Sequence, residues 1–274
     1  MAISVHRAPA GRSTARAPCE AGTMDTFVKR REDAPAGFFE AEAAGLRWLA
    51  AAGGARVVEV VDASPDEIRL ARVNRTMLTA DAARTLGRNL ATTHAAGAAA
   101  FGAGPVAYDG PLYIGSREMP RIESASWGEM YARGRVEPFL APAVAAGHLM
   151  RDEADLVRRA CDLIAAARFD DAAPPARIHG DLWAGNVLAD ADGAILIDPA
   201  AHGGHAETDL AMLQLFGLPH LDAVIRGYQD AAPLRDGWQD RVPMHQLHPL
   251  AVHAAGHGRA YGIELAAAAQ ATLG

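Results

Sequence analysis

Cysteine is scarce in this sequence, which has only Cys19 and Cys161 among 274 residues. The two lie far apart, so they form neither the closely spaced pairs of a zinc site nor the dense framework of a small secreted domain. Such scarcity is typical of proteins from reducing compartments, because stable disulfides need an oxidising one. We therefore expect a cytoplasmic protein.

Long hydrophobic runs and excess positive charge are also missing. No stretch reaches the roughly 18 consecutive apolar residues of a membrane-spanning helix, and the formal net charge is −7. An acidic chain is poorly suited to nucleic acid or to an anionic membrane, since both attract basic surfaces. Small anionic ligands remain compatible with it, because a few local cations and helix N-termini can hold them. The composition indicates no particular oligomeric state.

Residues 1–23 lack both hydrophobic periodicity and the apolar segment of a secretory signal. Three arginines precede the first acid in this segment, which gives it a faint likeness to a transit peptide. The simpler interpretation is an extension without regular structure, or a translation start at Met24. We favour that interpretation over a targeting signal.

Residues 24–73 carry the pattern of a small α+β unit. Apolar residues at helical spacing predict one helix, and β-prone runs separated by turn residues predict three strands. The predicted elements are a strand at 26–28 that leads to Lys29, a helix at 38–52, and strands at 57–61 and 68–73. This order predicts a small N-terminal lobe built on a sheet.

Residues 74–274 are mostly helical in pattern. Alanine- and leucine-rich segments predict helices at 80–96, 126–140, 151–168, 207–216, 220–230 and 243–261. The Gly/Pro-rich segment 102–122 predicts irregular structure. One β-hairpin interrupts the helices, with short apolar runs at 177–178, 187–188 and 194–197. The predicted fold class is α+β, a two-lobed protein with a small sheet lobe and a larger, mostly helical C-terminal lobe.

The segment RIHGDLWAGNVL, residues 177–188, concentrates polar side chains between two apolar runs. Asp181 and Asn186 have the Asp-x-x-x-x-Asn spacing of a protein-kinase catalytic loop, and Asp198 ends the next predicted strand. Phosphoryl transfer uses one carboxylate to orient and deprotonate the attacking hydroxyl, and other oxygen ligands to hold Mg²⁺. The Asp–Asn pair alone would be a weak indication. With His179, the hairpin and Asp198, it predicts a phosphotransferase site.

Lys29 and Glu42 supply the other half of such a site. An isolated strand lysine is usually exposed and an isolated helical glutamate is usually solvated, so neither carries an argument alone. Lys29 on a strand and Glu42 on the following helix nevertheless match the ion pair that positions ATP phosphates in kinases. Together with the downstream motif, they predict this pairing.

The stretches IHGDLWAGNVL and ILIDPAAHGGHAETDLAMLQLFG, within residues 178–217, resemble the fructosamine kinase (ketosamine 3-kinase) family. The resemblance continues in FVK, GFFEAEAAGLRWL, SWGEMYARGRVEPFL and LHPLAVHAAGHGRAYG, so it spans nearly everything after Met24. It implies the protein-kinase-like fold shared with aminoglycoside phosphotransferases and choline kinases. It also implies that the protein uses ATP and Mg²⁺ to phosphorylate a sugar hydroxyl of a ketosamine, a fructosamine- or ribulosamine-type adduct. The implied partner is a small sugar-amine compound, or a glycated protein.

The resemblance also implies a role for each matching residue. Asp181 would be the catalytic base, and Asn186 and Asp198 the Mg²⁺ ligands. Lys29, steadied by Glu42, would contact the ATP phosphates, and the backbone of the hinge would meet adenine at Leu70, Ala71, Arg72 and Val73. The sugar pocket would include Trp183 and His253. Trp183 could equally be a core tryptophan, and a lone helical histidine such as His253 is more often structural.

Some nearby polar residues have structural explanations. We expect His179 to hold the catalytic loop and Asp209 to accept backbone hydrogen bonds, as buried carboxylates must. His202, His205 and Glu207 include zinc-ligand residue types, but they match an ordinary loop of the family. We therefore do not interpret them as a metal site.

One departure from the family's sequence pattern leaves alternative functions open. The family places a glycine-rich β-hairpin before FVK, whereas residues 1–25 offer only Gly11 and Gly22. The loop is therefore either degenerate or, with a start at Met24, absent. The alternatives to an active ketosamine kinase are a kinase-like binding protein with weakened ATP clamping, or a kinase for another amine-bearing hydroxyl compound such as an aminoglycoside.

Overall fold

The structure, a computed structural model, describes residues 25–274. The predictions for residues 1–23, as an extension or a degenerate glycine-rich loop, lie outside this range. Among the residues described, no helix is both long and apolar enough to cross a membrane.

The N-terminal part is an antiparallel three-stranded sheet with one helix. The strands are β1 (Thr26–Arg30), β2 (Val60–Ser64) and β3 (Glu67–Ala71), in the order β1-β3-β2, and helix α1 (Phe38–Ala50) connects β1 to β2. The second strand was predicted too early at 57–61. In the structure, Val57 instead forms an isolated β-bridge to Leu196 in the C-terminal part, so a tertiary contact decides which segment it pairs with.

The sheet and α1 share one hydrophobic cluster. Phe39 and Leu46 on α1 pack with Ile68 and Leu70 on β3, and all four are at most 2% exposed. Ile68 and Leu70 lie two residues apart and therefore point to the same face of the sheet. Ile195, from the C-terminal part, completes this cluster. Burying each large side chain stabilises the fold by roughly 1.5–3 kcal/mol, so the cluster fixes α1 against the sheet.

Eight further helices follow within the described part of the chain. They are α2 (Ala80–Ala95), α3 (Trp127–Tyr131), α4 (Leu140–Ala145), α5 (Arg151–Ala165), α6 (Ala206–Leu215), α7 (Leu221–Ala231), α8 (Trp238–Ala254) and α9 (Arg259–Leu273). Between α3 and α4 the chain forms a π-helical turn and then a 3₁₀ turn, at 132–136 and 137–139. The α+β class is confirmed.

Two predicted helices differ from the structure in detail. The segment 126–140 was predicted to be helical, and from Trp127 onward it is, but as α3 followed by the π-helical and 3₁₀ turns rather than as one regular α-helix. The segment 243–261 was also predicted as one helix, but α8 ends at Ala254 and α9 starts at Arg259. Gly258 lies between them with φ 133°, a conformation that only glycine adopts readily.

The short strands of the C-terminal part pair differently from the prediction. Strands β7 (Val187–Asp190) and β8 (Gly193–Leu196) form the expected hairpin. Strand β6 (Ala176–Ile178) does not join it, and pairs instead with β9 (His202–Gly204), a strand that the sequence pattern did not predict. Strands β4 (Leu112–Ile114) and β5 (Arg117–Met119) form a second hairpin inside the segment predicted to be irregular.

Candidate active site

Asp181, Asn186 and Asp198 come together at the ends of the paired strands. Asp181 lies in the loop between β6 and β7, Asn186 directly precedes β7, and Asp198 follows β8. The side-chain nitrogen of Asn186 donates to the carbonyl oxygen of Asp181 at 2.8 Å and to its Oδ2 at 3.2 Å. It also lies 3.3 Å from the carbonyl oxygen of Asp198. One amide group therefore holds the three predicted residues together.

The backbone of this region has two left-handed residues. Gly180 has φ 79°, and a Cβ atom there would collide with the carbonyl oxygen of Ala200, so the turn before Asp181 requires glycine. Asp198 has φ 54°, which is uncommon for a residue with a side chain. Strained residues of this kind are maintained by their surroundings and cluster at functional sites.

Lys29 and Glu42 form the predicted ion pair, with Lys29 Nζ 2.7 Å from Glu42 Oε1. Lys29 also pairs with the carboxylate of Asp198, which joins the N-terminal sheet to the C-terminal part. Burial lowers the pKa of Lys29, but the charges of Glu42 and Asp198 outweigh it and leave the pKa raised. Lys29 is therefore a firmly charged ammonium group between two carboxylates.

Asp209, at the start of α6, supports the loop that carries Asp181. Its carboxylate accepts the backbone N–H groups of His179 at 2.7 Å and Gly180 at 2.9 Å, as expected for a buried carboxylate. His94 on α2 lies 3.1 Å from the same carboxylate. Burial raises the pKa of Asp209, but the bonds and charges from His94 and His179 outweigh it and hold the pKa below its ordinary value. The loop is thus fixed by an ionised, fully bonded group.

Asp181 has an unusual electrostatic environment. Burial raises its pKa to about 7, the Asn186 hydrogen bond opposes this, and the charges of Asp198 and Asp209 add to it. A carboxylate with such a pKa accepts protons more readily than an ordinary one. This property suits a general base.

The predicted catalytic, metal-binding and phosphate-binding residues open onto one cleft of about 1230 Å³ between the sheet and the C-terminal part. Lys29, Glu42, Asp181, Trp183, Asn186 and Asp198 line it. His253 and the predicted hinge, 70–73, do not belong to its lining. Residues that the sequence did not point to also line the cleft, among them Tyr113, Ser116 and His257.

The predicted hinge has few free backbone groups. The amide of Ala71 donates to Glu59 O and the amide of Arg72 donates to Asp25 O, both at 2.9 Å. Among residues 25–274, no carbonyl accepts a hydrogen bond from the amide of Val73. Of these three amides, Val73 alone is therefore available to a ligand.

Five aromatic side chains pack in sequence from the catalytic loop towards the turn between α8 and α9. We call them the aromatic row: Trp183, Phe216, His253, His257 and Tyr261. Trp183 is 37% exposed, and its ring centre lies 5.7 Å from that of Phe216. His253 lies 4.9 Å from Phe216 and 5.0 Å from His257, with Tyr261 4.9 Å from His253. The row runs from beside Asp181 to the turn between α8 and α9.

Only part of this row was predicted. Positions 253, 257 and 261 are spaced by four residues, which would place them on one helical face, and that was a readable signal. Phe216 carried no such signal. Gly185 has a clear role here, because a Cβ atom at this position would collide with the Trp183 ring.

A second histidine cluster lies away from the cleft lining. His205, Glu207 and His245 place ligand-type atoms within 4.8 Å of one another. Both oxygens of Glu207 accept from Arg241, at 2.8 and 2.6 Å, and His245 Nδ1 lies 3.0 Å from the Thr208 hydroxyl. The guanidinium of Arg241 already neutralises the carboxylate, so the cluster is explained as a structural ion pair.

Comparisons with known proteins identify the family of the chain. The family model for fructosamine kinase matches residues 4–273. A probable ketoamine kinase from Enterococcus faecium is 30% identical over 251 residues, which cover 87% of this chain and 84% of the relative. The crystal structure of a candidate fructosamine-3-kinase from Thermobifida fusca has a TM-score of 0.84 and 45% identity, covering 90% of this chain and 85% of that one.

A more distant structure shows how widely the fold is shared. The AMP-bound spectinomycin phosphotransferase has a TM-score of 0.54 at 15% identity, covering 90% of this chain and 87% of that one. At this identity the likeness concerns the fold alone. The described residues therefore have the fold of the antibiotic phosphotransferases, as predicted.

Proposed function

The chain belongs to the fructosamine kinase family and is a kinase, and we propose that it transfers phosphate from ATP to a sugar hydroxyl of a ketosamine of the fructosamine or ribulosamine type. The observation that carries the proposal is the grouping of Asp181, Asn186 and Asp198 by one amide, in the same cleft as the Lys29–Glu42 pair. The Enterococcus faecium relative, named as a probable ketoamine kinase, supports the substrate class.

Asp181 is the proposed general base. Its Oδ2 is held by Asn186, and its loop is fixed by Asp209, so the carboxylate has a defined direction into the cleft. It orients the attacking sugar hydroxyl and accepts its proton as the bond to phosphorus forms. General bases contribute about 10²–10⁴-fold in rate, and their efficiency is greatest with a pKa near the working pH.

Lys29 is the proposed contact to the ATP phosphates. Glu42 fixes the ammonium group from the α1 side, and this pair is the arrangement that kinases use to place a nucleotide. The cleft also presents Arg30, Arg31 and Arg69 near Lys29. Each of these arginines is paired with a carboxylate, Arg30 and Arg69 with Glu67 and Arg31 with Asp33, so Lys29 is the cation proposed to contact the phosphates.

Asn186 and Asp198 fit a magnesium ion. The Asn186 nitrogen is engaged by Asp181 and Asp198, which leaves its Oδ1 without a donor among the described residues. The side chain of Asp198 is 41% exposed, so its carboxylate can accept a ligand from the cleft. Both groups are hard oxygen ligands of the kind that Mg²⁺ prefers. A bound Mg²⁺ would neutralise phosphate charge and help to orient the transferred group.

The adenine contact is proposed at the backbone of Leu70, Ala71, Arg72 and Val73. Because the amides of Ala71 and Arg72 are engaged inside the protein, Val73 provides the donor. The burial of Leu70 at 2% exposure makes it a support for this segment rather than a ligand contact.

The sugar end of the site is proposed at Trp183 and His253. The half-exposed indole of Trp183 lies beside the loop of Asp181 and offers a flat apolar face to a sugar ring. Burial lowers the pKa of His253, so this histidine is neutral. Its packing against Phe216 makes it a support of the aromatic row that Trp183 begins.

Phosphate transfer from MgATP to a panel of acceptors tests the proposal. The panel contains a free fructosamine, a free ribulosamine, a glycated peptide and an aminoglycoside. Transfer to a free ketosamine is the expected result. Transfer to the aminoglycoside alone would favour the other kinase activity, and MgATP binding without any transfer would favour a binding protein.

A further inference from the structure

The β4–β5 hairpin forms one side of the cleft mouth. Its turn, Gly115–Ser116, is exposed and lines the same cleft as Asp181 and Trp183. The hairpin belongs to neither the N-terminal sheet nor the catalytic hairpin β7–β8, since it forms a separate two-stranded sheet. It therefore brings side chains to the site from a segment that the sequence pattern left unassigned.

One side of the hairpin is attached to the segment before α1. The hydroxyl of Tyr113 donates to the carbonyl oxygen of Ala36 at 3.0 Å, and the hydroxyl of Tyr108 donates to that of Gly37 at 2.9 Å. The ring of Tyr113 also packs edge-on against Phe38, with 5.3 Å between the centres. These contacts fix the hairpin relative to the helix that carries Glu42.

The other side of the hairpin is attached to the turn between α8 and α9. Arg117 Nη2 donates to the carbonyl oxygen of Ala255 at 2.6 Å, at the C-terminal end of α8. The guanidinium lies against Gly256, where a Cβ atom would be 2.9 Å from Nη2. Within residues 25–274 Arg117 has no carboxylate partner, and its side chain bonds to this turn.

This turn presents His257 to the cleft. His257 is exposed, lines the cleft together with Ser116, and packs on His253 at 5.0 Å as the outer end of the aromatic row. The row starts at Trp183, beside the catalytic loop. Trp183, Ser116 and His257 line the same cleft, so a sugar ring lying on Trp183 can extend its amine-bearing substituent towards Ser116 and His257.

We propose that Ser116 and His257 form the rim that contacts the amine-bearing part of the ketosamine, and that Arg117 is a positioning residue that fixes the distance between them. This inference rests on the proposed function. The chemistry of the rim agrees with it, because the Ser116 hydroxyl can accept the N–H of a protonated secondary amine. The aromatic faces of the row attract the same positive charge.

Kinetics of four variants test the inference. Arg117→Ala and His257→Ala should each raise the KM for a free fructosamine about three- to tenfold, the range expected for one lost hydrogen bond at Arg117 and one lost substrate contact at His257. The KM for ATP and kcat should stay near the wild-type values. The effects should be less than additive in the double variant, since part of the Arg117 effect acts through His257. Arg117→Lys, which can still donate one bond, should recover part of the loss.

The matched control is Arg121→Ala, at the base of the same hairpin. Arg121 donates to the carbonyl oxygens of Tyr108 and Gly110, at 3.1 and 2.8 Å, and does not reach the α8–α9 turn. It should change the melting temperature as much as Arg117→Ala does, but leave the KM for the fructosamine unchanged. Additive effects of Arg117→Ala and His257→Ala, or equal changes in both KM values, would overturn the positioning role.

Calorimetric titration of a fructosamine in the absence of ATP separates this inference from the proposed function. Weaker binding by Arg117→Ala and His257→Ala than by wild type supports the rim even if the wild type transfers no phosphate. Equal binding by all variants would contradict the proposed contact of Ser116 and His257 with the substrate, even if the wild type is an active kinase. Absence of transfer by the wild type, with binding retained, counts against the proposed function alone.

Discussion

The guanidinium of Arg177 lies over the indole of Trp48, 4.6 Å from the ring centre, and donates a 2.7 Å hydrogen bond to the carbonyl oxygen of Trp48. Trp48 is on α1, the helix that carries Glu42, whereas Arg177 is on β6, the strand that leads to Asp181. The two halves of the site are thus connected behind the cleft. A close approach of α1 at Gly45 to Pro199 and Ala201 reinforces the connection, since a Cβ atom there would lie 3.2 Å from the Ala201 side chain.

Arg177→Met should weaken both stability and nucleotide binding. The change removes a hydrogen bond from a charged donor and a cation–π contact, together worth roughly 2–4 kcal/mol of unfolding free energy. Because α1 is then held less firmly, the KM for ATP should rise while the KM for the ketosamine changes little. Urea unfolding and steady-state kinetics measure these effects.

Arg56→Met is the matched control for Arg177→Met. Arg56 pairs with Asp190 at 2.8 and 3.0 Å, but this bond is exposed and lies away from α1. Exposed pairs contribute about 0–1 kcal/mol. If the two variants lose similar stability and both keep the wild-type KM for ATP, then Arg177 does not connect the halves of the site.

Asp181→Asn should abolish most phosphate transfer and leave MgATP binding intact. The substitution preserves the shape of the side chain and an oxygen for the Asn186 bond, but removes the proton acceptor. The expected loss is about 10²–10⁴-fold in kcat. Isothermal titration with MgATP provides the binding control. Wild-type activity in this variant would show that Asp181 is not the base.

Asp198→Ala should remove the Mg²⁺-dependent part of the stabilisation by ATP. Ligand binding to the native state raises the melting temperature in proportion to RT ln(1 + [L]/Kd), so loss of a metal ligand reduces the difference between ATP with and without Mg²⁺. Asp192→Ala, an exposed acid in the turn between β7 and β8, is the control. A full Mg²⁺-dependent shift in Asp198→Ala would contradict the assignment.

The local features of the site were more predictable than its surroundings. The Asp181–Asn186 spacing and the strand before Asp198 are set by neighbouring residues, and the structure brings them together in one cleft. The Lys29–Glu42 pair also formed, although its members lie on different elements, because its spacing matched a known arrangement. The roles of these residues remain predictions.

The features that the sequence did not reveal depend on contacts between distant segments. β6 pairs with β9 rather than with the hairpin, since the loop of Asp181 and the segment after Asp198 return to the same edge. The bond from Arg117 to Ala255 and that from Arg177 to Trp48 likewise join residues far apart in the chain. Neither arginine has a periodic or compositional signal that distinguishes it from a surface arginine.

Acidification below about pH 6.5 should destabilise the protein through its buried histidines, with an opposing contribution from Asp181, whose raised pKa favours the folded state as the pH falls. Burial lowers the pKa of His245 to about 4, and burial together with the charge of Arg135 lowers that of His248 to about 3. The unfolded chain therefore takes up these protons first as the pH falls below about 6.5. Stability that is fully present above that pH is then lost towards pH 4, by up to about 1.4 kcal/mol per pH unit for each histidine.

Urea unfolding at several pH values between 7.5 and 4.5 measures this loss. His248→Gln should reduce the slope of the unfolding free energy against pH by the contribution of about one proton. A glutamine can still donate to the carbonyl oxygen of Arg135 but does not titrate. A slope in this variant equal to that of the wild type would show that His248 does not contribute.

Trp183→Ala should raise the KM for the ketosamine and leave kcat and the KM for ATP nearly unchanged. A stacking surface binds the ground state and the transition state alike, so its loss appears in KM. Gly185→Ala gives an independent version of the same test, because the added Cβ atom would displace the indole without removing it. Both variants should therefore show the same rise in KM, measured with a free fructosamine. A fall in kcat with an unchanged KM would mean instead that the indole supports the position of Asp181, two residues away, and that the sugar lies elsewhere in the cleft.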